Sequence, residues 1–210
     1  MKPIILIGGG GHCISCIDVI EQTGLYHIIG ILDLPEKLGE KILNYSIIGT
    51  DNELVRFVTD CPDFLITVGQ IKSSSLRERL FQMVKKAGGN LPVIISPMAY
   101  VSRNAQIEEG SIVMHHALIN AGAAIGKGCI INTKALIEHE AVIGNFCHIS
   151  TAAIVNGQAN IGDCCFIGSN TVIANNTNVA ANTVIAAGSQ VLRNIESPGI
   201  YLGLPLRKIK

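Results

Sequence analysis

The chain has 210 residues, 48% of them hydrophobic and 15% charged, with a formal net charge of zero at pH 7. That composition supports a sizeable core and excludes disorder, and balanced charge without a basic run excludes the electrostatic footprint of a nucleic-acid binder. No stretch reaches the length of a membrane span, and the apolar run in "MKPIILIGGGGHC" is too short for a secretory signal, so a cytoplasmic location is expected.

In chain order, "PIILIGGGGHCISCIDVIEQTG" reads as strand, glycine loop and helix, and "HIIGILDL" as a second buried strand ending at Asp33. "FLITVG" is a third strand, followed by the helical stretch "SLRERLFQMVKKAG" closed by Gly88; "LPVIIS" supplies a fourth strand leading onward. Apolar strands alternating with helices imply a parallel sheet covered on both faces, whose ligands bind beyond the carboxyl ends of its strands. Gly8 to Gly11, Asp33 and Gly69 fall there. The loop departs from the dinucleotide fingerprint, because Cys13 stands where Gly-x-Gly-x-x-Gly ends. Backbone N–H groups at the helix start suit a smaller anion such as a diphosphate; a plain tight turn is the alternative. The seven cysteines, at 13, 16, 61, 129, 147, 164 and 165, are an odd number and read as reduced core residues. The "CISC" pair at 13 and 16 is expected to face a helix core, since no second pair completes a metal site.

The second half is organised by a repeat. At every sixth position from Ile95 to Val191 the residue is Ile or Val, and four positions after each, from Ala99 to Ser189, it is Ala, Ser, Cys or Thr. A six-residue period is a short strand plus a corner: both patterned places point inward, and the remaining ones are rich in Gly and Asn, which tolerate left-handed backbone. Three hexads close one triangular coil, and coils stack into a prism whose core is buried only between neighbours. The expected fold is an α/β domain with a Rossmann-like parallel sheet over residues 1–94, an all-β parallel β-helix over 95–194, and a tail over 195–210.

Within the prism, "IEHEAVIGNFCHIS" (137–150) carries ionisable groups at corner places, where they interrupt no core. On periodicity alone His139 is a solvated corner residue. His115 and His116, at equivalent places elsewhere, read as solvated too, and Glu138 as a solvated face residue.

The hexad pattern resembles that of hexapeptide-repeat acyltransferases, which are left-handed β-helices and form trimers with acyl-CoA between neighbouring prisms. The combination of "GGGGH", an Asp at the second strand end, "NT…IEHE.VIG.F.H" and the closing "GLPLRKIK" is similar over essentially the whole chain to the sialic acid O-acetyltransferases and the bacillosamine-pathway UDP-amino-sugar N-acetyltransferases. The resemblance implies that the first domain binds a nucleotide-linked 4-amino sugar and the β-helix binds acetyl-CoA. It assigns His139 as general base, Glu140 as the acid that raises its basicity and Gly157 as an oxyanion-stabilising amide. His148, Ser169 and Ala187 correspond to acetyl-CoA contacts; Gly10, Gly11, His12, Asp33, Leu34 and Gly69 to the nucleotide-sugar site. No metal is implied. The family's "GN" is Gly69-Gln70 here, and its terminal G-x-P-A is Gly203-Leu204-Pro205-Leu206.

Spacing adds independent support. His139 and Gly157, like Ser169 and Ala187, are three hexads apart and so should stack on adjacent coils. Imidazole, which ordinarily titrates at about 6.5, can take a proton from the sugar's 4-amino group as that nitrogen attacks the thioester. The expected activity is therefore acetyl transfer from acetyl-CoA to the 4-amino group of a nucleotide-linked, UDP in the nearest parallel, 4-amino-4,6-dideoxy sugar of a bacterial surface glycan. Three alternatives stand beside it: O-acetylation of sialic acid or a related sugar, a metal-dependent β-helix hydratase using His115, His116, His139 and His148, and an inert nucleotide-sugar sensor. The histidine spacings speak against the hydratase, because they do not stack at one corner.

Overall fold

The computed structural model describes residues 1–203 and 207–209. The first unit contains β1 (Lys2–Ile7), α1 (Gly11–Thr23), β2 (Tyr26–Leu32), β3 (Lys41–Ile42), β4 (Tyr45–Gly49), α2 (Leu54–Phe57), β5 (Phe64–Ile66) and α3 (Ser75–Lys86). Its sheet runs β3-β4-β2-β1-β5. Side chains of β1 alternate between two cores: Ile4 and Leu6 pack with α1, Ile5 and Ile7 with α3. Strand alternation requires this when both sheet faces are covered.

The parallel sheet expected from the sequence is mixed at one edge, where β3 and β4 form a small antiparallel hairpin. Its strands are too short for the pattern to announce them, and Leu43 turns it at a φ of 52°. The strand inside "LPVIIS", Ile94–Ile95, pairs with Ile112–Val113 and so opens the second unit instead of extending the first sheet. Cys13 and Cys16 lie in the α1 core, where burial pushes the Cys13 thiol up to about 11, and all seven cysteines are free.

From Ile94 the chain is a parallel β-helix with three faces. The covered face (Ile94–Ile95, Ile112–Val113, Ile130–Ile131, His148–Ile149, Phe166–Ile167, Thr183–Ile185) carries the first unit, with Ile94, Ile112 and Ile130 in the α1 core. The apolar face (Tyr100–Val101 through Gln190–Val191) presents Tyr100, Leu118, Leu136, Ile154 and Val172 outward, and the polar face (Gln106–Ile107 through Asn178–Val179) presents Gln106, Asn160 and Asn178. Inside, the hexad Ile/Val and small residues form one continuous core. Ile95 stands out at 38% exposure, because no coil lies above it.

Glycine is less needed at the corners than its tolerance suggests. His116, Lys134, Glu140, Phe146, Ala152, Gln158 and Cys164 all sit there with φ between 52° and 61°. Stacking holds them: the Gln158 N–H donates to the His139 carbonyl of the preceding coil at 3.1 Å, and Glu140 N–H to Ala121 likewise. Each coil thereby stabilises the left-handed residue of the next.

Candidate active site

The residues assigned to acetyl transfer lie on the edge between the apolar and polar faces. His139 and Glu140 form the turn after Leu136–Ile137, their side chains 57% and 61% exposed. His139 Nδ1 is 3.3 Å from Glu140 Oε2, which also accepts from Gln158 Nε2 at 3.1 Å. An acceptor at Nδ1 places the ring proton there and leaves Nε2 with its lone pair. One coil on, a Cβ built at Gly157 would lie 2.6 Å from both Cε1 and Nε2 of that ring. The imidazole therefore rests directly on the Gly157 backbone. The Gly157 N–H donates to no group among the described residues. An exposed basic nitrogen thus lies over a buried glycine whose backbone donor is unpaired among the described residues, the two groups acyl transfer requires.

Two supporting residues escaped sequence reading. Glu138, expected to be merely solvated, is half-buried; its Oε2 accepts from Asn120 Nδ2 at 2.8 Å and from the His139 N–H at 3.2 Å. Gln158 holds the Glu140 carboxylate. Both lie one full coil from their partners, so the period that pairs His139 with Gly157 was the available signal.

His148 is buried on the covered face with both nitrogens engaged, Nδ1 with the Gln70 carbonyl at 2.7 Å and Nε2 with Asn132 Nδ2 at 3.1 Å. Burial lowers its pKa to about 4, so the ring is neutral with its proton on Nδ1. Gln70 also donates from Nε2 to the Phe146 carbonyl at 2.7 Å. The residue that departs from the family pattern is therefore a clasp between the two units. Beside it, the fully buried Arg77 donates to the carbonyls of Ile66, Val68 and Gly128, the last from the other unit.

Ser169 and Ala187 stack on the edge between the covered and apolar faces, where a Cβ at Gly168 would meet the Ala187 nitrogen at 2.4 Å. Ser169 Oγ is 3.0 Å from Ser150 Oγ. One whole face separates these residues from His139, so a single chain does not bring the two sets together. On that same edge His115, read as solvated, bridges Ser96 Oγ at 2.6 Å and Asp18 Oδ2 at 2.9 Å, tying α1 to the prism.

The residues assigned to the sugar do converge. Gly10 caps α1 and Gly11 begins it, and a Cβ at either would meet nothing within 4 Å, so this backbone faces open space beside the β1/β5 switch point of the sheet. Gly69 lies against His12, whose ring centroid is 6.3 Å from that of His148. Burial, then Arg77 and His148, lower the His12 pKa to about 3, and its Nε2 has no partner among the described residues. Asp33 accepts from the amides of Gly9 at 2.7 Å and Leu34 at 2.8 Å and from Lys37 Nζ at 3.0 Å. Burial alone pushes its carboxyl up, but the two amides and Lys37 outweigh it and hold the net pKa below the usual value. Asp33 thus pins the glycine loop to the end of β2. Of the tail motif, Leu204, Pro205 and Leu206 lie outside the described residues.

Residues 3–84 match the sequence family described as the PglD N-terminal domain. A histidine-to-asparagine mutant of perosamine N-acetyltransferase from Caulobacter crescentus, in complex with CoA and GDP-perosamine, matches over 100% of this chain and 98% of its own, with a TM-score of 0.93 at 25% identity. In sequence over residues 3–84, and in fold over its whole length, the chain is similar to bacterial sugar acetyltransferases. The acetyltransferase domain of PglB from Neisseria gonorrhoeae FA1090, in complex with acetyl coenzyme A, matches over 99% of both chains with a TM-score of 0.92 at 28% identity. The β-helix of this chain is accordingly the left-handed one of its structural neighbours. Among curated proteins, uncharacterized protein L142 of Acanthamoeba polyphaga mimivirus is 33% identical over 118 residues, and the match spans 55% of this chain but 22% of that relative. No helix among the described residues is long and apolar enough to cross a membrane.

Proposed function

We propose that this chain transfers the acetyl group of acetyl-CoA to the 4-amino group of a nucleotide-linked 4-amino-4,6-dideoxy sugar. The observation that carries the reading is the His139 imidazole seated on Gly157, with Glu140 behind it. The neutral amine attacks the thioester carbonyl; His139 Nε2 takes the proton released from that nitrogen, and the Gly157 N–H meets the tetrahedral oxyanion. As the C–S bond breaks, the imidazolium returns the proton to the departing CoA thiolate. Glu140, on Nδ1, stabilises the imidazolium between these steps. Acetyl-CoA is a co-substrate, and no residue forms a covalent intermediate.

Support for the substrate comes from the open glycine backbone at Gly10 and Gly11, which offers a helix N-terminus to a diphosphate, with His12, Asp33, Leu34 and Gly69 around it. The C. crescentus neighbour holds GDP-perosamine; for this chain UDP is the nucleotide the resemblance favours. Ser169 and Ala187 are assigned to acetyl-CoA; His148, expected beside them, is instead buried with both ring nitrogens engaged within this chain. The separation of Ser169 and Ala187 from His139 by the apolar face supports a homotrimer, in which that face meets a second copy and the edges of two chains border one site. The enzyme would work in the bacterial cytoplasm, where both substrates are made.

The test is acetyl-CoA consumption with UDP-, GDP- and dTDP-linked 4-amino sugars alongside free and CMP-linked sialic acid. Turnover of a 4-amino sugar nucleotide is expected; turnover of sialic acid alone would make this an O-acetyltransferase. Sedimentation of the same preparation should give a mass three times that of one chain.

A further inference from the structure

Resting on the nucleotide-sugar reading above, we propose that the buried guanidinium of Arg77 is the counter-charge for the nucleotide diphosphate, drawing it to the glycine loop through its field without touching it. Arg77 is 1% exposed, and its Nη1 and Nη2 donate to the carbonyls of Ile66 at 3.0 Å, Val68 at 2.6 Å and Gly128 at 2.8 Å. Those bonds engage both terminal nitrogens but do not neutralise the group, which forms no ion pair among the described residues. A neutral amide could clamp carbonyls as well, at far lower cost than a buried, unpaired cation. The charge itself therefore calls for a partner outside the chain.

Its ionisable neighbours do not balance it. Burial leaves the imidazoles of His12 and His148 neutral and raises the Cys16 thiol, while Arg77, lowered by burial to about 10, stays cationic at neutral pH. Only a thin layer separates the guanidinium from the glycine loop. Val68, whose carbonyl it holds, packs on that loop, where a Cβ built at Gly8 would lie 2.4 Å from Val68 Cγ2. Thr67 Oγ1 donates to the Gly8 carbonyl at 2.6 Å, and Gly69 lies against His12. After burial, Arg77 is the strongest influence lowering the His12 pKa, so its field reaches the first turn of α1. Lys37, beside the same loop, is paired with Asp33. The guanidinium lies roughly 10 Å from the open backbone at Gly10 and Gly11, about two or three Cα steps. At that distance, and an effective dielectric between about 20 and 40, each negative charge on a ligand gains roughly 4- to 15-fold in affinity.

Calorimetric titration of uridine, UMP and UDP (or the guanosine series, where the wild type prefers it) into the wild type, Arg77→Gln and Arg77→Lys tests the proposal. Gln keeps an amide that can donate to a carbonyl and loses the charge, whereas Lys keeps the charge. In Arg77→Gln the loss of affinity should grow with the charge of the ligand, from none for the nucleoside to roughly tenfold or more for the diphosphate. Arg77→Lys should retain the wild-type gradient across the series. Titration reads only protein able to bind, so partial misfolding alters the stoichiometry and leaves the gradient intact. In steady state Arg77→Gln should raise KM for the sugar nucleotide by the same factor as it weakens the diphosphate, with KM for acetyl-CoA at the wild-type value. A uniform loss on all three ligands would make Arg77 a clamp on the loop alone, and an unchanged gradient in Arg77→Gln would remove its charge from binding. Either result, or a gradient lost equally in Arg77→Lys, overturns the inference while the acetyl-transfer reading stands. A wild type that binds none of the series overturns both.

Discussion

Replacing Gly157 with alanine isolates the placement of the His139 ring. The added methyl would lie 2.6 Å from Cε1 and Nε2, where carbon contacts relax at about 3.5 Å or more, so the ring must withdraw by about 1 Å. It can do so freely, since the side chain is 57% exposed. The Gly157 backbone lies outside the left-handed region that favours glycine, and alanine adopts it without strain. The unfolded chain loses some freedom, a change of about 0.4–1 kcal/mol in favour of the fold that offsets the cost of moving the ring. Alanine also keeps the backbone N–H. Folding stability should therefore change by less than about 1 kcal/mol, whereas a displacement of about 1 Å in a catalytic group costs about 10²-fold in rate. Thermal denaturation and kcat with acetyl-CoA and a nucleotide-linked 4-amino sugar measure the two together. Wild-type kcat in Gly157→Ala, or a loss that merely tracks a large fall in Tm, would refute the geometry.

Other consequences follow from the same structure. Glu140→Ala should cost about 10-fold in kcat, because the imidazolium formed when His139 takes the proton loses its counter-charge, and should cost nothing further in a His139→Ala background; an additive loss there would count against a role through His139. Asp33→Ala frees the glycine loop and should raise KM for the sugar nucleotide with little change in acetyl-CoA affinity; matched losses on both substrates would contradict it. Because burial holds His148 at about 4 against about 6.5 unfolded, the unfolded chain binds more protons between those values. Stability from this group is full above about pH 6.5 and is lost as pH falls toward 4, by about 3 kcal/mol in total. Denaturant unfolding of His148→Gln should show a flatter pH dependence than the wild type, and parallel slopes would exclude the assignment.

The prism was legible because every rung repeats one packing rule: an Ile or Val and a small residue inward, a corner between. The same period ordered the candidate site, since three hexads separate His139 from Gly157. What it did not reveal arises from contacts without periodicity. The Gln70 clasp onto His148 and Phe146 joins residues 78 and 76 positions apart, and Arg77 reaches Gly128 across the two units. The β3–β4 hairpin was invisible for another reason, since a two-residue strand carries no alternation. Glu138 misled because its chemistry is that of a surface residue, and only the stacked Asn120 shows what it holds.

In the proposed mechanism one imidazole, lifted onto a corner and seated on Gly157, takes the proton in acetyl transfer. Single-turnover rates for His139→Ala, at saturating acetyl-CoA and sugar nucleotide, test it most directly. A rate lower by roughly 10²- to 10⁴-fold with CoA still bound normally is expected, and an undiminished rate would remove His139 from the proton's path.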